Sequence, residues 1–372
     1  MALLFCVIRL AVPYPVQHPV KLWATVVFIN CIRYTVFLYC SVCLDIDRDS
    51  LAHIKVQHTN IPGKPHAKFC IKLKDTMRAV SSFLHQIQWF NFAILFSVVC
   101  CGLYGFTLVF QVKLLTLIWT FVCAFISGLG VTAGVHRYWC HRSYKATFSL
   151  RALLCFLQTL AIQNSILNWA TNHRVHHKFS ETDADPHNAN RGFVFSHIGW
   201  IVMKEHPSVD EKRNIMDVSD LLEDKVVAFQ HRYYGILVLL IGVMFPTLVP
   251  VLFWGESFTF AFFLNMSRYC VLLNSVSMIN SVAHIWGYRP YDDTIGPAEN
   301  SICAFAAMGE GYHNYHHVFP HDYRTSELGM KLNITASFID MMEKLGLAYD
   351  LRTMSNEVIT ERKRKNLLRK EQ

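Results

Sequence analysis

Nine histidines stand in three clusters and one outlier: His136 and His141; His173, His176 and His177; His313, His316 and His317; and His284 alone. The second and third clusters have i, i+3, i+4 spacing, which puts three imidazoles on one face of a helix. His136 and His141 stand five residues apart, about 140° around an ideal α-helix. They are expected to converge where a helix ends and the chain turns. Neutral imidazole suits iron, zinc, copper and nickel. Nine such groups are too many for one tetrahedral zinc site, which closes with about four ligands. They suffice for two metals held close together with positions left open, so the spacing predicts a dimetal site. Of the other histidines, His197, His206 and His231 read as ordinary surface residues, while His187 and His321 lie near the clusters and are expected to support them.

Positioning those rings falls to apolar elements. The chain has 372 residues, 52% of them hydrophobic, with a net charge of +8 and a mean hydropathy of +0.25. That balance fits a membrane protein whose cytosolic parts are positive. It does not fit a nucleic-acid binder, because no basic stripe interleaved with exposed aromatics is present. Four segments, 89–110, 113–134, 234–254 and 258–281, approach the ~20 residues that a bilayer requires. The last carries Arg268, Asn274 and Asn280, which are costly in lipid and expected to face protein. The second runs into His136, and the fourth ends just before His284. Segment 149–170 is apolar but interrupted by Arg151, Gln158, Gln163, Asn164 and Asn168, so it reads as an amphipathic helix in the interface.

An even number of spans puts the basic segment 44–88 and the C-terminus on one side, and positive charge makes that side the cytosol. The expected fold is all-α: an integral membrane protein with four transmembrane helices under a cytosolic helical cap, 135–232 and 285–350, that holds the dimetal centre. Residues 1–75 read as an extension that lies on the membrane or crosses it, with Arg33 inside its apolar stretch and no obvious cleavable signal. Residues 76–350 form the membrane domain, and 351–372 a basic, solvated tail. Cys100, Cys101, Cys123, Cys155, Cys270 and Cys303 sit in apolar runs and are expected as buried free thiols.

Four stretches share a pattern: Gly130-Val-Thr-Ala-Gly-Val-His136, His173-Arg-Val-His-His-Lys-Phe-Ser-Glu-Thr-Asp-Ala-Asp-Pro-His187, Asn280-Ser-Val-Ala-His284-Ile-Trp-Gly-Tyr-Arg-Pro-Tyr-Asp292 and Gly309-Glu-Gly-Tyr-His-Asn-Tyr-His-His-Val-Phe-Pro320. Through them the chain resembles the membrane-bound acyl-CoA desaturases of the stearoyl-CoA desaturase type, the insect branch most closely, over about residues 80–350. The resemblance implies an endoplasmic-reticulum enzyme with two ferrous ions bound by all nine histidines, Asn280 reaching one of them through water. It implies that dioxygen is consumed, that a cis double bond (Delta-9 or a related position) enters a long-chain fatty acyl-CoA, and that electrons come from cytochrome b5 and its reductase. Attack on an unactivated chain needs a dry, shaped cavity, and positioning within a kinked tunnel would choose the carbon.

By position in that family, Gln163 and Trp169 line the bend of the tunnel. Val276 stands near the bend where threonine is usual, and Ala124 near the closed end, where larger residues occur. Head-group contacts are implied at Asn91, Thr171, Asn172 and Lys204. Here the chain departs from the family: Thr171-Asn172 replaces Arg-Asp, Lys204-Glu205 replaces Arg-Lys, and Phe90-Asn91 replaces Arg-Asn. Losing two or three charged hydrogen bonds of ~1.5–3 kcal/mol each would weaken head-group binding by roughly ten- to a thousandfold. Two rival readings share the same residues. One is another di-iron lipid oxidation, hydroxylation or acetylenic-bond formation. The other is a non-catalytic lipid-binding paralogue, which has no chemical need for the full histidine set.

Overall fold

Lipid offers no partner to an exposed backbone N–H or C=O, so apolar runs that meet it must close their hydrogen bonds internally. The computed structural model describes residues 78, 80–327 and 333–371; the extension expected at 1–75 lies outside the described residues. Its principal helices are α1 (Trp89–Thr107), α2 (Leu114–Leu129), α3 (Phe148–Ala161), α4 (Ile166–Phe179), α5 (Pro207–Asn214), α6 (Tyr234–Trp254), α7 (Phe258–Asn280), α8 (His313–Val318) and α9 (Asn356–Lys370). A two-stranded antiparallel ribbon, β1 (Lys145–Ala146) with β2 (Ala348–Tyr349), ties the chain after the first histidine pair to the C-terminal region. The protein is a mostly helical, multi-pass membrane protein.

Three helices are long and apolar enough to cross a membrane: α1, α2 with its continuation to Cys140, and α6. α7 has 23 residues, about 34 Å at 1.5 Å per residue, but its polar residues lower its hydropathy. Most of those face the protein. Arg268 is buried, donating to Asn265 Oδ1 at 2.8 Å and Ser127 Oγ at 3.2 Å. Ser267 Oγ donates to the Gly102 carbonyl at 2.6 Å. Asn274 departs from the expectation: it lies on an exposed face near the cap and meets His197 at 3.1 Å. α1 and α7 approach closely because Gly105 has no side chain; a Cβ there would sit 2.2 Å from the Phe263 carbonyl oxygen. At the end of the stem away from the histidines, Glu256 accepts from Lys113 N (2.8 Å) and Thr116 Oγ1 (2.7 Å) and fastens the two hairpin turns together.

The interfacial helix expected at 149–170 is two helices. α3 and α4 meet at 83°, because Ile162 and Asn164 adopt left-handed φ values of 56° and 72° that stop a right-handed helix. Gln158 Nε2 holds the bend by donating to the Asn164 carbonyl at 2.7 Å, and Ser165 caps α4. The basic tail also differs from expectation. It forms α9, which buries Ile359 against Tyr291, Tyr315 and Phe319, and is pinned by Asn366 to Arg289 O (2.9 Å) and Asp293 N (3.0 Å). Cationic residues alone predict solvation; paired here with Asp292 and Asp293, they dock. The cysteines among the described residues are free, and most are buried.

Candidate metal centre

Each histidine cluster rides on an element that enters the cap directly. α2 does not end at Leu129 but widens into a π-helix over Gly130–Cys140, closed by His141 N donating to the His136 carbonyl at 3.1 Å. A π-helix has about 4.4 residues per turn, so five residues rotate the side chain back to within about 50° of its start. That widening, together with the turn at His141, brings both rings into one pocket. α4 and α8 present the i, i+3, i+4 faces, and His284 follows the end of α7.

The nine rings sort into two groups that cut across the clusters. His136, His141, His173, His177 and His316 form one, and His176, His284, His313 and His317 the other; within each group one nitrogen from every ring lies within 4.8 Å of the others. Nε2 atoms face each other at 3.0 Å (His136–His316), 3.1 Å (His141–His173), 3.0 Å (His177–His316) and 3.0 Å (His284–His313). On α4 and α8 the i, i+4 pair stays together while the i+3 ring, about 60° round the helix, points into the other group. Seven of the nine are buried. His177 and His317 are half-buried, one from each group, and stack with centroids 4.0 Å apart. Burial first, then neighbouring imidazoles, hold His141, His313, His316 and His317 well below the ordinary histidine value. Their lone pairs are therefore free near neutral pH. Convergent neutral nitrogens in two adjoining dry pockets fit a pair of metal ions.

The sequence model of the family described as fatty acid desaturase matches residues 113–333. The chain is 49% identical over 275 residues to the acyl-CoA desaturase of Ovis aries, covering 74% of this chain and 77% of that one. It is 51% identical over 279 residues to the acyl-CoA desaturase of Cyprinus carpio (74% and 85% covered). With the acyl-CoA Delta-9 desaturase of Acheta domesticus it shares 48% over 283 residues (75% and 79% covered).

The chain belongs to the fatty acid desaturase family.

It is accordingly an oxidoreductase of lipid metabolism. In this desaturase three carboxylates, which histidine spacing alone did not reveal, take hold of Nδ1 atoms and leave Nε2 facing inward, an arrangement that fixes tautomer and ring direction. Asp185 Oδ1 accepts from His176 Nδ1 at 2.8 Å, Glu181 Oε1 lies 3.3 Å from His284 Nδ1, and Glu310 Oε2 lies 3.0 Å from His136 Nδ1. Each acid stands within nine residues of a cluster, which was the available signal. Burial alone would raise all three; the histidines beside Asp185 and Glu181, and Arg137 with His136 beside Glu310, outweigh it and hold the carboxyls below the usual range. Gly309, just before Glu310 and at φ 111°, lets the chain pass against Asn333, since a Cβ there would meet Asn333 Oδ1 at 2.5 Å. The supporting histidines are in place as well. His321 Nδ1 donates to the His141 carbonyl at 2.8 Å, and His187 sits edge-on to His176, its ring pushed down to about 3 by burial.

The remaining sequence-predicted residues divide. Trp169 stacks on His173 (4.8 Å, 26°), and Trp169 and Val276 pack against one core cluster. Asn280 is half-buried at the end of α7. Gln163 sits at the α3–α4 bend with a buried Nε2 that has no hydrogen-bond partner among the described residues. Ala124 lies on α2 twelve residues before His136, about 18 Å along a helix. Lys204 is exposed and lines a cavity of about 270 Å³ with Asp183, Arg191 and Glu205. Asn91 Nδ2 donates to the Ile201 carbonyl at 3.2 Å and so steadies the segment before Lys204. Asn172 and Glu205 meet through a residue that sequence reading missed: Arg213 of α5 donates Nε to Asn172 Oδ1 (2.8 Å) and Nη2 to Glu205 (2.8 and 3.0 Å). Thr171 is not part of this set; its hydroxyl donates to Leu167 O of its own helix.

Proposed function

We propose that this desaturase inserts a cis double bond, at Delta-9 or a related position, into a long-chain fatty acyl-CoA, using dioxygen and two iron ions. The observation that carries the reading is the pair of buried all-imidazole groups, with Nδ1 of a histidine in each held by carboxylate. The ligands would be the nine histidines, with Asn280 reaching one ion through water. When bound, the irons supply the oxidising power that removes two hydrogens from an unactivated chain. The chain's own residues do the rest. Asp185, Glu181 and Glu310 hold the imidazoles in one tautomer, and the indole of Trp169 over His173 forms an apolar wall that keeps water from the reacting carbons. Gln163 and Val276 at the bend set where the acyl chain turns, and Ala124 leaves room at its far end. The exposed amine of Lys204, with Asn91 beneath it, faces the CoA phosphates; Asn172 completes that wall, and the charge of the Arg213 guanidinium is offset by Glu205 and Asp210. Residues 76–350 would form the catalytic membrane domain in the endoplasmic reticulum, with the cap and C-terminus in the cytosol and cytochrome b5 and its reductase as electron source.

The test is expression in a desaturase-deficient yeast beside a His177→Ala control, with double bonds located by mass spectrometry. A new monounsaturated acyl chain, absent from the control, is the expected outcome. Hydroxylated or acetylenic products would replace desaturation with one of its chemical rivals. A chain that is membrane-inserted yet holds no iron would refute the catalytic reading.

A further inference from the structure

His284 enters the metal centre just past the end of α7, and hydrogen bonds from the loop that follows set its place. Arg289 Nη2 donates to the His284 carbonyl at 3.1 Å, and Ala298 N donates to the Ala283 carbonyl at 2.7 Å. Gly296 N donates to Glu181 Oε2 at 3.0 Å, and the other oxygen of that carboxylate lies 3.3 Å from His284 Nδ1. A Cβ on Gly296 would run into the Glu181 carboxylate, so this approach depends on where the loop runs. Arg289 also closes the loop on itself, its Nε donating to the carbonyls of Ile295 and Gly296, each at 2.9 Å.

Residues 289–297 are gripped from two sides. From α8, Asn314, next to the ligand His313, accepts from Tyr291 N (2.9 Å) and Asp292 N (3.1 Å) and donates to the Pro297 carbonyl (2.9 Å). From α9, Asn366 donates to the Arg289 carbonyl and accepts from Asp293 N. Arg362 donates to the Tyr291 carbonyl at 3.1 Å and pairs with Asp292, and Arg369 pairs with both Asp292 and Asp293. Among the described residues of α9, only Ile359 and Asn366 are buried. A helix held by its apolar face buries a whole stripe of such residues. α9 buries one, and its polar groups converge on the short stretch 289–293.

Resting on the dimetal reading of this centre, we infer that α9 is the outer jaw of a clamp on residues 289–297, and that Asn366 and Arg289 are positioning residues for the metal position of His176, His284, His313 and His317. Neither is a ligand. Both keep the loop where Glu181 meets Nδ1 of His284 and leaves its Nε2 facing that of His313, 3.0 Å away. Partners that orient a ligand in this way are worth an order of magnitude or more in metal affinity. The other group, His136, His141, His173, His177 and His316, draws no ligand from the end of α7, so loosening α9 should leave it filled.

The experiment compares the full-length protein with Asn366→Leu, which removes both bonds at nearly constant size, and with Arg362→Gln plus Arg369→Gln, which breaks the ion pairs at the surface. Each is held in lipid nanodiscs, dialysed against graded free Fe2+, and read for iron per chain and for thermal midpoint. In Asn366→Leu one iron should need at least tenfold more free Fe2+ than in the parent, while the second is unchanged; the arginine pair should shift the same iron at least threefold. Placed on His317→Ala, which already weakens that position, Asn366→Leu should remove no further iron. Two irons held as tightly as in the parent by either folded variant would overturn the clamp and leave the metal centre standing. Equal loss of both irons with a lowered midpoint would overturn it too, since general destabilisation does not choose between them. If Asn366→Leu does not fold, the arginine pair decides alone. If the parent itself does not take up two irons, the dimetal reading fails, and the clamp with it.

Discussion

Replacing Asp185 with asparagine should empty one of the two metal positions and spare the other. The carboxylate is buried and accepts three hydrogen bonds: His176 Nδ1 at 2.8 Å and His187 N at 2.9 Å on Oδ1, and Glu181 N at 2.8 Å on Oδ2. An amide has one oxygen. If that oxygen stays at Oδ1, the NH2 group faces the Glu181 N–H, donor against donor, at a cost of about 1–3 kcal/mol for the unsatisfied group. If it flips, the His176 and His187 contacts are both lost, and Nδ1 of His176 becomes an acceptor, which moves the ring proton to Nε2 and removes a ligand. Either way His176 loses a charged partner, and changes of this kind cost 10–100-fold in metal affinity, about 1.4–2.8 kcal/mol at 1.4 kcal/mol per decade. His176 belongs to the group of His284, His313 and His317, so the loss should fall there. Iron per chain, measured by mass spectrometry after dialysis against graded free Fe2+, should step from two to one at a free concentration where the parent stays full. Two irons retained to the same free concentration as in the parent would refute the role given to Asp185.

Three further outcomes are expected from the geometry. Glu299 is buried, accepts from Tyr315 N at 2.7 Å, and is pushed up to about 8 by burial; a raised folded value means that its contribution is complete below the ordinary 4.5 and is lost as pH climbs through about 8. The parent's thermal midpoint should therefore fall as pH rises from about 4.5 to about 8 and level off above, and that part of the fall should vanish in Glu299→Gln, which keeps an oxygen for Tyr315. Ala124→Tyr should shift the products to acyl chains several carbons shorter, read from the fatty-acid profile; an unchanged profile would remove Ala124 from the tunnel. Glu205→Lys should remove one of the two carboxylates on Arg213, leaving Asp210, add positive charge beside Lys204, and lower the KM for acyl-CoA roughly tenfold at low salt, the effect fading as salt screens it; an unchanged KM would place the head group elsewhere.

What could be read from the chain and what could not divide along physical lines. The ligand clusters were legible because three and four residues are the repeat of an α-helix, so His173, His176 and His177 announce a common face. The coming together of His136 and His141 was only half legible: spacing counts assume 3.6 residues per turn, and nothing in Gly130–Cys140 states that the helix widens. Which ring joins which group was hidden too, since adjacent histidines share a cluster in sequence but diverge by about 100° in space. That Arg268 of α7 must face protein was legible from its cost in lipid, but not its partners: in the fold it donates to Asn265 and Ser127. The docking of α9 and the bridge through Arg213 depend on partners far along the chain or outside any motif, Asp292 in one case and Glu205 in the other. Local composition reports the charges and not their neighbours.

The interleaving of the two metal groups bears on how the protein is made. His136 faces His316 across 180 residues, and the other group joins His176 to His284, His313 and His317. Neither position draws its ligands from one half of the chain. During synthesis the first five of these nine histidines emerge, and α6 and α7 still have to be inserted, long before α8 leaves the ribosome. A nascent chain stopped short of residue 313 would hold part of each group and neither whole, so filling of the proposed metal positions would come last, on an already inserted stem, and a ribosome stalled in that interval would release a chain with both groups incomplete.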